Sequence, residues 1–408
     1  MNINKIKLKN FRNYTEQEIE LDPHINVFYG DNAQGKTNIL EAIFISGFGK
    51  SFRTSKEKEM IKLGEDFLET NIFYDKSDRS GKIKIIIADK KQIEVNGVKI
   101  KKLSELIGNL NLVIFTPDDI QILKNGPAER RRFLDMMIGQ LRPNYVHNLN
   151  LYLKTLEQRN NYLRQIKELN KPENMLEIWD EKLAEYAIKI YEYRKEFIEK
   201  IIKKLDIIHK NITNGEEQIE LEYVTECDSK EKYLKLLKER RKLDIIKGFT
   251  TKGVHRDDFM IYINKKDIKI FGSQGQNRTA MLSLKLAEIE LVKKSIHETP
   301  VLLLDDVLSE LDSNRQNYLL NSIHDIQTII TCTGLDEFIR NRFEINKVFK
   351  VIDGSIFACE QEDFNEHWIR SRPNTNFRGT RSSPQKTGYV HWKYLVQRTS
   401  SFSVWDCR

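Results

Sequence analysis

Residues 30–37 read Gly30-Asp31-Asn32-Ala33-Gln34-Gly35-Lys36-Thr37, an unbroken match to the pattern G-x-x-x-x-G-K-[ST]. The apolar stretch Ile25–Tyr29 before them predicts a strand, and the run that begins at Asn38 predicts a helix. Glycines at such a junction let backbone N–H groups surround a polyphosphate, and the helix dipole adds positive charge. A chance glycine turn is the alternative, but the flanking strand and helix favour a nucleotide site.

The same pattern gives individual residues a role. Lys36 is expected to reach the β- and γ-phosphates of ATP, and Thr37 is expected to hold Mg²⁺. The remaining residues of the loop, from Gly30 to Gly35, are expected to contact the nucleotide mainly through their backbone.

Two further stretches carry candidate site residues. Val301–Leu304 predicts a buried strand that ends in Asp305 and Asp306, and paired acids there are costly unless they handle a cation or water. Asp305 is expected to bind Mg²⁺, and Asp306 to orient or deprotonate the attacking water. An ordinary strand end capped by acids is the alternative. The other stretch is Ser273-Gln274-Gly275-Gln276, which opens a predicted helix and is either a second anion site or only an N-cap.

Composition limits the class of protein. The chain has 408 residues, of which 31% are charged, and its mean hydropathy is −0.54. No apolar stretch approaches the ~20 residues of a membrane span, and the N-terminus has no signal-peptide core. Four cysteines lie far apart without a C-x-x-C pair, which fits a reducing cytoplasm and neither disulfides nor zinc. The net charge of +7 suits an anionic partner but is weak evidence alone.

The periodicity of apolar residues changes along the chain. Strand-like stretches dominate residues 1–135, and they return in residues 250–357 with a hairpin around Asp353. Between them, at 136–249, two stripes with helical spacing are joined by a turn at Pro172 and predict an antiparallel hairpin with arms of ~35–45 Å. Arg159 and Arg194 occupy positions within these stripes. The pattern therefore predicts an α/β unit that is split in sequence by a helical lobe.

The last stretch, residues 358–408, has a different composition. Three of the four tryptophans lie there, and arginine replaces lysine as the main basic residue. We interpret it as a disordered extension or a coding artefact such as a frame change. The alternative is a tail that binds DNA or a partner.

The motifs together resemble a known class. A phosphate loop, a Ser-Gly helix start, an Asp-Asp strand end and then Ser309–Asp312 follow each other as in ABC-type ATPases. About 270 residues separate Lys36 from Asp305, which is similar to the SMC-like branch, whose heads act on DNA. Within that branch the chain resembles the RecF family of bacterial recombination-repair ATPases over roughly residues 1–357. Besides the segments just named, the stretches that carry this resemblance are Leu8–Tyr14, Phe115–Asp119, Gly126–Asp135, Gly253–Asp258 and Leu302–Asp312.

The resemblance implies an SMC-like ABC ATPase head that works as a switch. ATP would lie between residues 30–37 of one copy and Ser273–Gln276 of a second, with Ser309–Asp312 near the seam of this ATP-dependent homodimer. The family's role implies binding to single-stranded, gapped or junction DNA in the nucleoid, and help with RecA loading together with RecO and RecR. Because an aspartate, Asp306, stands where typical ABC heads have glutamate, slow DNA-dependent hydrolysis is expected.

Several roles stay open at this stage. The Q-loop glutamine of other ABC heads is replaced by Thr116, Pro117 or Asp118, and Thr331 or Thr333 is expected to sense the γ-phosphate. Arg130–Arg132 and Arg240–Lys242 are candidates for DNA contact, against pairing with acids and a solvated helix face. His255 and Arg256 are expected to buttress the nucleotide site or the seam. A structural SMC-type, a nuclease-linked or a transporter ATPase are the rival functions.

Overall fold

The computed structural model describes residues 1–335 and 345–359. The prediction for the tail lies outside these residues from 360 onward; Ala358 and Cys359 belong to the last described strand. The described part of the chain lies within one compact unit. The strands are β1 Asn2–Phe11, β2 Tyr14–Glu20, β3 Ile25–Tyr29, β4 Leu68–Asp75, β5 Ser80–Ile87, β6 Lys91–Val95, β7 Val98–Lys99, β8 Leu112–Phe115, β9 Ile219–Val224, β10 Asp258–Ile263, β11 Lys266–Asp267, β12 Val301–Asp305, β13 Thr328–Cys332, β14 Lys347–Ile352 and β15 Ser355–Cys359. The helices are α1 Lys36–Phe48, α2 Gln121–Lys124, α3 Pro127–Leu141, α4 Pro143–Leu169, α5 Leu176–Ile212, α6 Lys230–Lys247, α7 Ile268–Phe271, α8 Gln274–Ile296 and α9 Ser313–Ser322.

One sheet is antiparallel, with the strand order β2-β1-β4-β5-β6-β7. Strand β1 alternates buried apolar residues such as Ile6 and Leu8 with lysines that point outward. On that outer face Lys5 and Lys7 form ion pairs with glutamates of β2, including Glu18 at 2.8 and 2.7 Å. The alternation fixes the register of this pair, because a shift by one residue would bury the lysines.

The second sheet positions the candidate site. Its order is β15-β14-β3-β13-β12-β8, and all neighbouring strands are parallel except the β14–β15 hairpin. Both faces are covered: Val301 and Leu303 of β12 belong to one apolar cluster, and Leu302 and Leu304 belong to the other. This double burial explains why β12 is a continuous apolar run. The carboxyl ends of β3 and β12 therefore lie at the same edge of the sheet, with only β13 between them.

The helical hairpin is formed by α4 and α5. Arg194 donates a hydrogen bond to the hydroxyl of Tyr145, and Arg159 forms an ion pair with Asp180. The ring centroids of Tyr162 and Trp179 are 4.8 Å apart. Partner numbers fall as positions rise, so the two helices run antiparallel, as predicted. At 1.5 Å per residue α4 is ~40 Å long and α5 ~55 Å. The longer α5 exceeds the prediction because it continues beyond the hairpin and contacts α8 of the head, where His209 reaches Ser283.

The predicted lobe boundaries at 135 and 249 stay predictions. Helix α3 crosses the first of them, since it ends at Leu141. Across the second, β9 pairs antiparallel with β10 in a three-stranded sheet with β11. Two buried arginines tie the helical part to its surroundings. Arg159 reaches Asp244 of α6 at 2.8 Å, and Arg194 reaches Asp135 of α3 at 2.8 Å.

Candidate functional site

The glycine-rich loop joins β3 directly to α1. Gly30 has φ +153°, and a Cβ atom on it would lie 2.4 Å from the carbonyl oxygen of Val351 in β14. Gly35 has φ +113°, and a Cβ there would meet the side chain of Asn13 at 2.6 Å. A side chain would be strained at both positions. The glycines therefore serve close backbone approach, and the flanking strand and helix are those predicted from the sequence.

The ammonium group of Lys36 is buried within the loop. It donates to the carbonyl oxygens of Gly30 at 2.5 Å and Asp31 at 2.7 Å. Both of these partners are neutral, so the positive charge of Lys36 is available to an anion that enters the loop. This placement suits the predicted contact with phosphate oxygens.

Two hairpins hold the loop from outside. Asn13, in the β1–β2 turn, donates through Nδ2 to the carbonyl of Gln34 at 2.8 Å, and the hydroxyl of Tyr14 donates to the carbonyl of Gly35 at 2.9 Å. From the β14–β15 turn, the backbone N–H of Asp353 donates to Oε1 of Gln34 at 2.5 Å. The sequence analysis assigned no role to Asn13 and Tyr14. Their place in the stretch Leu8–Tyr14, which carries the family resemblance, was the only available signal.

Glu41 of α1 organises a second group that the sequence analysis missed. Its carboxylate is fully buried and accepts two hydrogen bonds from the guanidinium of Arg12, at 2.6 and 2.8 Å. Arg53 contacts the same carboxylate at 3.4 Å and donates to Asn38 Oδ1 at 2.7 Å. Burial of a carboxylate is costly unless partners of this kind offset the loss of water. Glu41 thus fixes two arginines beside the first turns of the helix that follows the loop.

Thr37 and Asp305 meet although 268 residues separate them. The hydroxyl of Thr37 donates to Oδ1 of Asp305 at 2.7 Å, and the hydroxyl of Thr331 donates to the same oxygen at 2.8 Å. A hydroxyl and a carboxylate are hard oxygen donors, the kind that Mg²⁺ prefers. Within residues 1–335 and 345–359, no cluster of three or more His, Cys, Asp or Glu residues could hold a metal alone. The donor set therefore fits a magnesium ion whose other ligands are phosphate oxygens and water.

Asp306 follows directly in an unusual conformation. Its φ is +51°, and its backbone N–H donates to the carbonyl of Thr331 at 3.1 Å. Aspartate tolerates this left-handed region better than most residues. Burial raises the pKa of the Asp306 carboxyl, the neighbouring Asp305 raises it further, and Lys36 opposes the shift. A carboxylate with a raised pKa is a stronger base, which agrees with the role predicted for Asp306.

Of the two threonines predicted to sense the γ-phosphate, Thr331 is unsuitable. The residue is 1% exposed, and its hydroxyl already donates to Asp305. Thr333 lies exposed just beyond the end of β13. Of the two residues, Thr333 therefore stays the prediction for this role.

The Ser273–Gln276 turn is the exposed start of the 23-residue helix α8. Oγ of Ser273 accepts from the backbone N–H of Gln276 at 3.1 Å, and Oε1 of Gln276 accepts from the backbone N–H of Ser273 at 3.0 Å. Arg315 of α9 donates to Thr279 at 2.8 Å and also pairs with Asp312. The Ser309–Asp312 segment is thereby linked to α8. Among the described residues, Ser273-Gln274-Gly275-Gln276 makes no hydrogen bond to residues 30–37.

The predicted Q-loop segment lies against α8. Thr116 and Asp119 cap a short turn together, so the side chain of Thr116 already has hydrogen-bond partners. Asp118 is exposed. Asp119 lies 3.3 Å from the buried ammonium group of Lys285, which is 3.5 Å from Glu288 one turn further along α8. This buried group of three charges connects the segment to the helix that Ser273 begins.

The Glu288 carboxyl leads to a prediction about stability. Burial raises its pKa from 4.5 to about 7, and Asp119 adds to the rise while Lys285 opposes it. Because the folded-state pKa lies above the unfolded value, the stabilising contribution is complete below 4.5 and is lost as pH rises through about 7. Glu288→Gln should therefore gain about 1–3 kcal/mol of unfolding free energy above pH 7. Urea unfolding across pH measures this, and equal pH slopes for both proteins would contradict it.

Two members of the first basic cluster, Arg130 and Arg131, bind groups of the protein itself. Arg130 is buried and binds both carboxylate oxygens of Asp258, at 2.6 and 2.9 Å. Arg131 donates to the backbone carbonyl of Asp257 at 2.7 Å, and only Arg132 is exposed. For Arg130 the structure therefore supports the alternative of pairing with an acid, because Asp258 on β10 already neutralises it.

Arg241 of the second basic cluster and His255, which was predicted to buttress the nucleotide site, both contact the helical hairpin. Arg241 reaches Asp180 at 3.1 Å, whereas Arg240 and Lys242 are exposed. His255 contacts the hydroxyl of Tyr152 in α4 at 2.7 Å, and burial lowers its pKa to about 4. His255 therefore supports α4 as a neutral side chain, and no described hydrogen bond connects it to the phosphate loop.

Comparison with known proteins decides the family. The model of the RecF/RecN/SMC N terminal domain family matches residues 2–355, and a DNA replication and repair protein RecF from Agathobacter rectalis is 50% identical over 88% of the chain and 100% of its own length. The chain belongs to the RecF family. The corresponding RecF protein of Clostridium perfringens strain SM101 is 47% identical over 87% of the chain and 99% of its own length.

Solved structures agree with this assignment. The recombination mediator protein RecF, solved with ATP and described as part of the RecFOR pathway, has a TM-score of 0.83 at 39% identity, over 88% of this chain and 98% of that one. An SMC head bound to a domain of ScpA has a TM-score of 0.54 at 17% identity, over 90% of this chain and all of its own, a likeness of fold alone. The predicted fold class is confirmed: this RecF-family chain has an SMC-like ABC ATPase head. None of its described helices has the length and apolar character of a membrane span.

Proposed function

We propose that this chain is an ATP-dependent DNA-binding protein of recombinational repair and replication. It binds single-stranded, gapped or junction DNA as an ATP-closed homodimer in the cytoplasm, at the nucleoid, and helps load RecA together with RecO and RecR. The names of its relatives support the pathway, because they are DNA replication and repair proteins and one is placed in the RecFOR pathway. The observation that carries the nucleotide part of the proposal is the contact between Thr37 and Asp305.

The residues at the sheet edge divide the work of binding and hydrolysis. Bound Mg²⁺ supplies charge neutralisation for the phosphates. Residues 30–37 would bind the triphosphate, with Lys36 at its β- and γ-phosphates. Thr37 and Asp305 would hold Mg²⁺, while Asp306, beside Asp305 and near Lys36, would orient water or accept its proton.

The proposal includes a second copy because the start of α8 is exposed and free to meet the nucleotide of another chain. Ser273 and Gln274 are exposed at the positive end of a long helix, and within the described residues their turn makes no hydrogen bond to the loop of its own chain. A helix start of this kind stabilises negative charge. In the proposed dimer it would complete the nucleotide site of the other copy, and hydrolysis would remove the charge that holds the copies together.

A structural SMC-type role is the weaker alternative. Such proteins need long arms, and the hairpin of this chain extends only ~40 Å along α4. The described residues also offer no independent metal cluster for a linked nuclease.

The proposal is tested by fluorescence anisotropy on gapped duplex DNA, with ATP–Mg²⁺ or ADP–Mg²⁺, across a salt series. Binding should be tighter with ATP and should weaken as salt rises, because bound cations release counterions from the phosphates. Light scattering on the same samples should give a dimer with ATP and a monomer with ADP. DNA affinity that is identical with both nucleotides would refute the switch.

The shorter acid at position 306 leads to a prediction about rate. Asp306→Glu should raise the rate of ATP hydrolysis, since the added methylene brings the carboxylate closer to the water that typical ABC heads activate with glutamate. A positioned base contributes roughly 10²–10⁴-fold to such a step, so a tenfold rise is a modest expectation. Single-turnover hydrolysis with DNA present measures it. An unchanged rate would show that the length of this side chain does not limit hydrolysis.

A further inference from the structure

A buried polar group lies where α5 meets α8. Nδ1 of His209 is 3.0 Å from the hydroxyl of Ser283 in α8, and its Nε2 is 3.2 Å from Oε2 of Glu217. His209 and Ser283 are fully buried, and the Glu217 side chain is 20% exposed. The nucleotide site described above does not use this group.

The second oxygen of Glu217 extends the path to the head of α8. Its Oε1 accepts a hydrogen bond from Nε2 of Gln276 at 2.9 Å. Gln276 in turn accepts from the backbone N–H of Ser273. A continuous chain of hydrogen bonds therefore runs from the end of α5, through Glu217, to the turn that begins α8.

Glu217 offers one carboxylate oxygen to each of its two neighbours. The Gln276 amide donates to Oε1, and Nε2 of His209 lies beside Oε2. The Ser283 hydroxyl, which faces Nδ1 of His209, donates to the backbone carbonyl of Thr279 at 2.8 Å. Gln276 is fixed with its oxygen toward Ser273, so the capping interaction has one defined orientation. One carboxylate thus helps to fix the geometry of an otherwise exposed turn.

We propose that Glu217 is a positioning residue, which holds the Ser273–Gln276 turn in the orientation that engages nucleotide on a second copy of this chain and links that turn to helix α5. The inference rests on the proposed ATP-closed dimer. Removal of the carboxylate would leave the turn free to reorient, so that part of the binding free energy would go into ordering it. The variant's own phosphate loop would be unaffected.

Glu217→Ala is the first test. It should require about tenfold more ATP to reach half-maximal dimer, since one hydrogen bond to a charged group is lost. Binding of a fluorescent ATP analogue to dilute monomer should be unchanged, which a general loss of structure would not allow. Glu216→Ala is the matched control, because Glu216 is the exposed neighbour in the same turn. An unchanged ATP requirement for Glu217→Ala would overturn the inference.

Glu217→Gln tests the hydrogen-bond pattern itself. An amide can accept from Gln276 and donate to Nε2 of a neutral His209, but it repels a protonated imidazole. The charged groups that act on this imidazole are Glu217, from the turn before β9, and Asp206, from its own helix; α8 contributes the Ser283 hydroxyl. Burial lowers the pKa of His209, and both carboxylates oppose that shift.

The amide variant should therefore dimerise at nearly the wild-type ATP concentration at about pH 8, because its oxygen still accepts from Gln276. Glu216→Ala is again the matched control. A Glu217→Gln variant that fails to the same degree as Glu217→Ala would overturn the inference. A wild-type protein that stays monomeric with ATP–Mg²⁺ would instead refute the proposed function.

Discussion

Lys36→Ala is expected to abolish ATP-dependent dimerisation. The ammonium group is held inside the loop by the carbonyls of Gly30 and Asp31, and it is the only cationic side chain within residues 30–37. Without it the phosphates lose a charge-assisted contact in a partly buried site, which is worth about 1.5–3 kcal/mol and weakens ATP binding at least tenfold. Two sites close one dimer, so the loss counts twice. Light scattering at saturating ATP–Mg²⁺ measures the mass.

The control for this prediction is Lys50→Ala. Lys50 is an exposed lysine just beyond the other end of α1, so the same charge is removed without a change in the loop. Its dimer should form at the wild-type ATP concentration. The two variants should also have the same melting temperature without nucleotide. If Lys36→Ala formed a dimer as readily as Lys50→Ala, nucleotide binding in this loop would not be what brings the copies together.

Arg159→Ala is expected to have the largest effect on stability. The guanidinium is completely buried between α4, α5 and α6, where it pairs with Asp180 at 2.7 Å and with Asp244 at 2.8 Å. Its removal leaves two buried carboxylates with fewer partners and opens a cavity. Breaking a buried ion pair from one side typically costs about 3–5 kcal/mol. The urea midpoint of the variant should fall accordingly, with α4 and α6 losing protection from hydrogen exchange first.

Arg164→Ala provides the comparison on the same helix. Arg164 is exposed, so its loss should change the unfolding free energy by less than about 0.5 kcal/mol. The replacement Arg159→Met separates charge from volume, since it fills the space but removes the ion pair of Asp244 and leaves Asp180 with Arg241. It should remain nearly as unstable as the alanine variant. A methionine variant as stable as the wild type would show that packing, rather than charge pairing, holds the hairpin to α6.

The predictions that succeeded depended on local pattern. The strand Ile25–Tyr29, the loop, and the helix after it are all present, because alternating or continuous apolar runs and glycines act over a few residues. The antiparallel hairpin was also visible in its apolar spacing. Its length was underestimated because the second helix continues into the head, where a packing surface that is distant in sequence supports it.

The alternatives that the sequence left open concerned polar and charged side chains. Arg130 was a candidate either for DNA contact or for pairing with an acid, and Asp258, 128 positions away, binds it. Thr331 and Thr333 were both candidates to sense phosphate, but the hydroxyl of Thr331 binds Asp305. Glu41 had no local signal, and Asn13 had only its place in the stretch Leu8–Tyr14. In each case the partner of a polar side chain comes from another strand or helix, and no spacing rule within one segment reveals it.

Sequence alone therefore determined the class of chemistry: a phosphate-binding loop, an acidic strand end and a helix start that can face an anion, each readable from neighbouring residues. Only the tertiary structure decided which of these groups meet. The parallel sheet brings Thr37 against Asp305, while the long α8 carries Ser273 to an exposed turn with no hydrogen bond to the described loop of its own chain. The physical reason is that backbone preferences act locally, whereas contacts between charged side chains are set by how buried strands and helices pack.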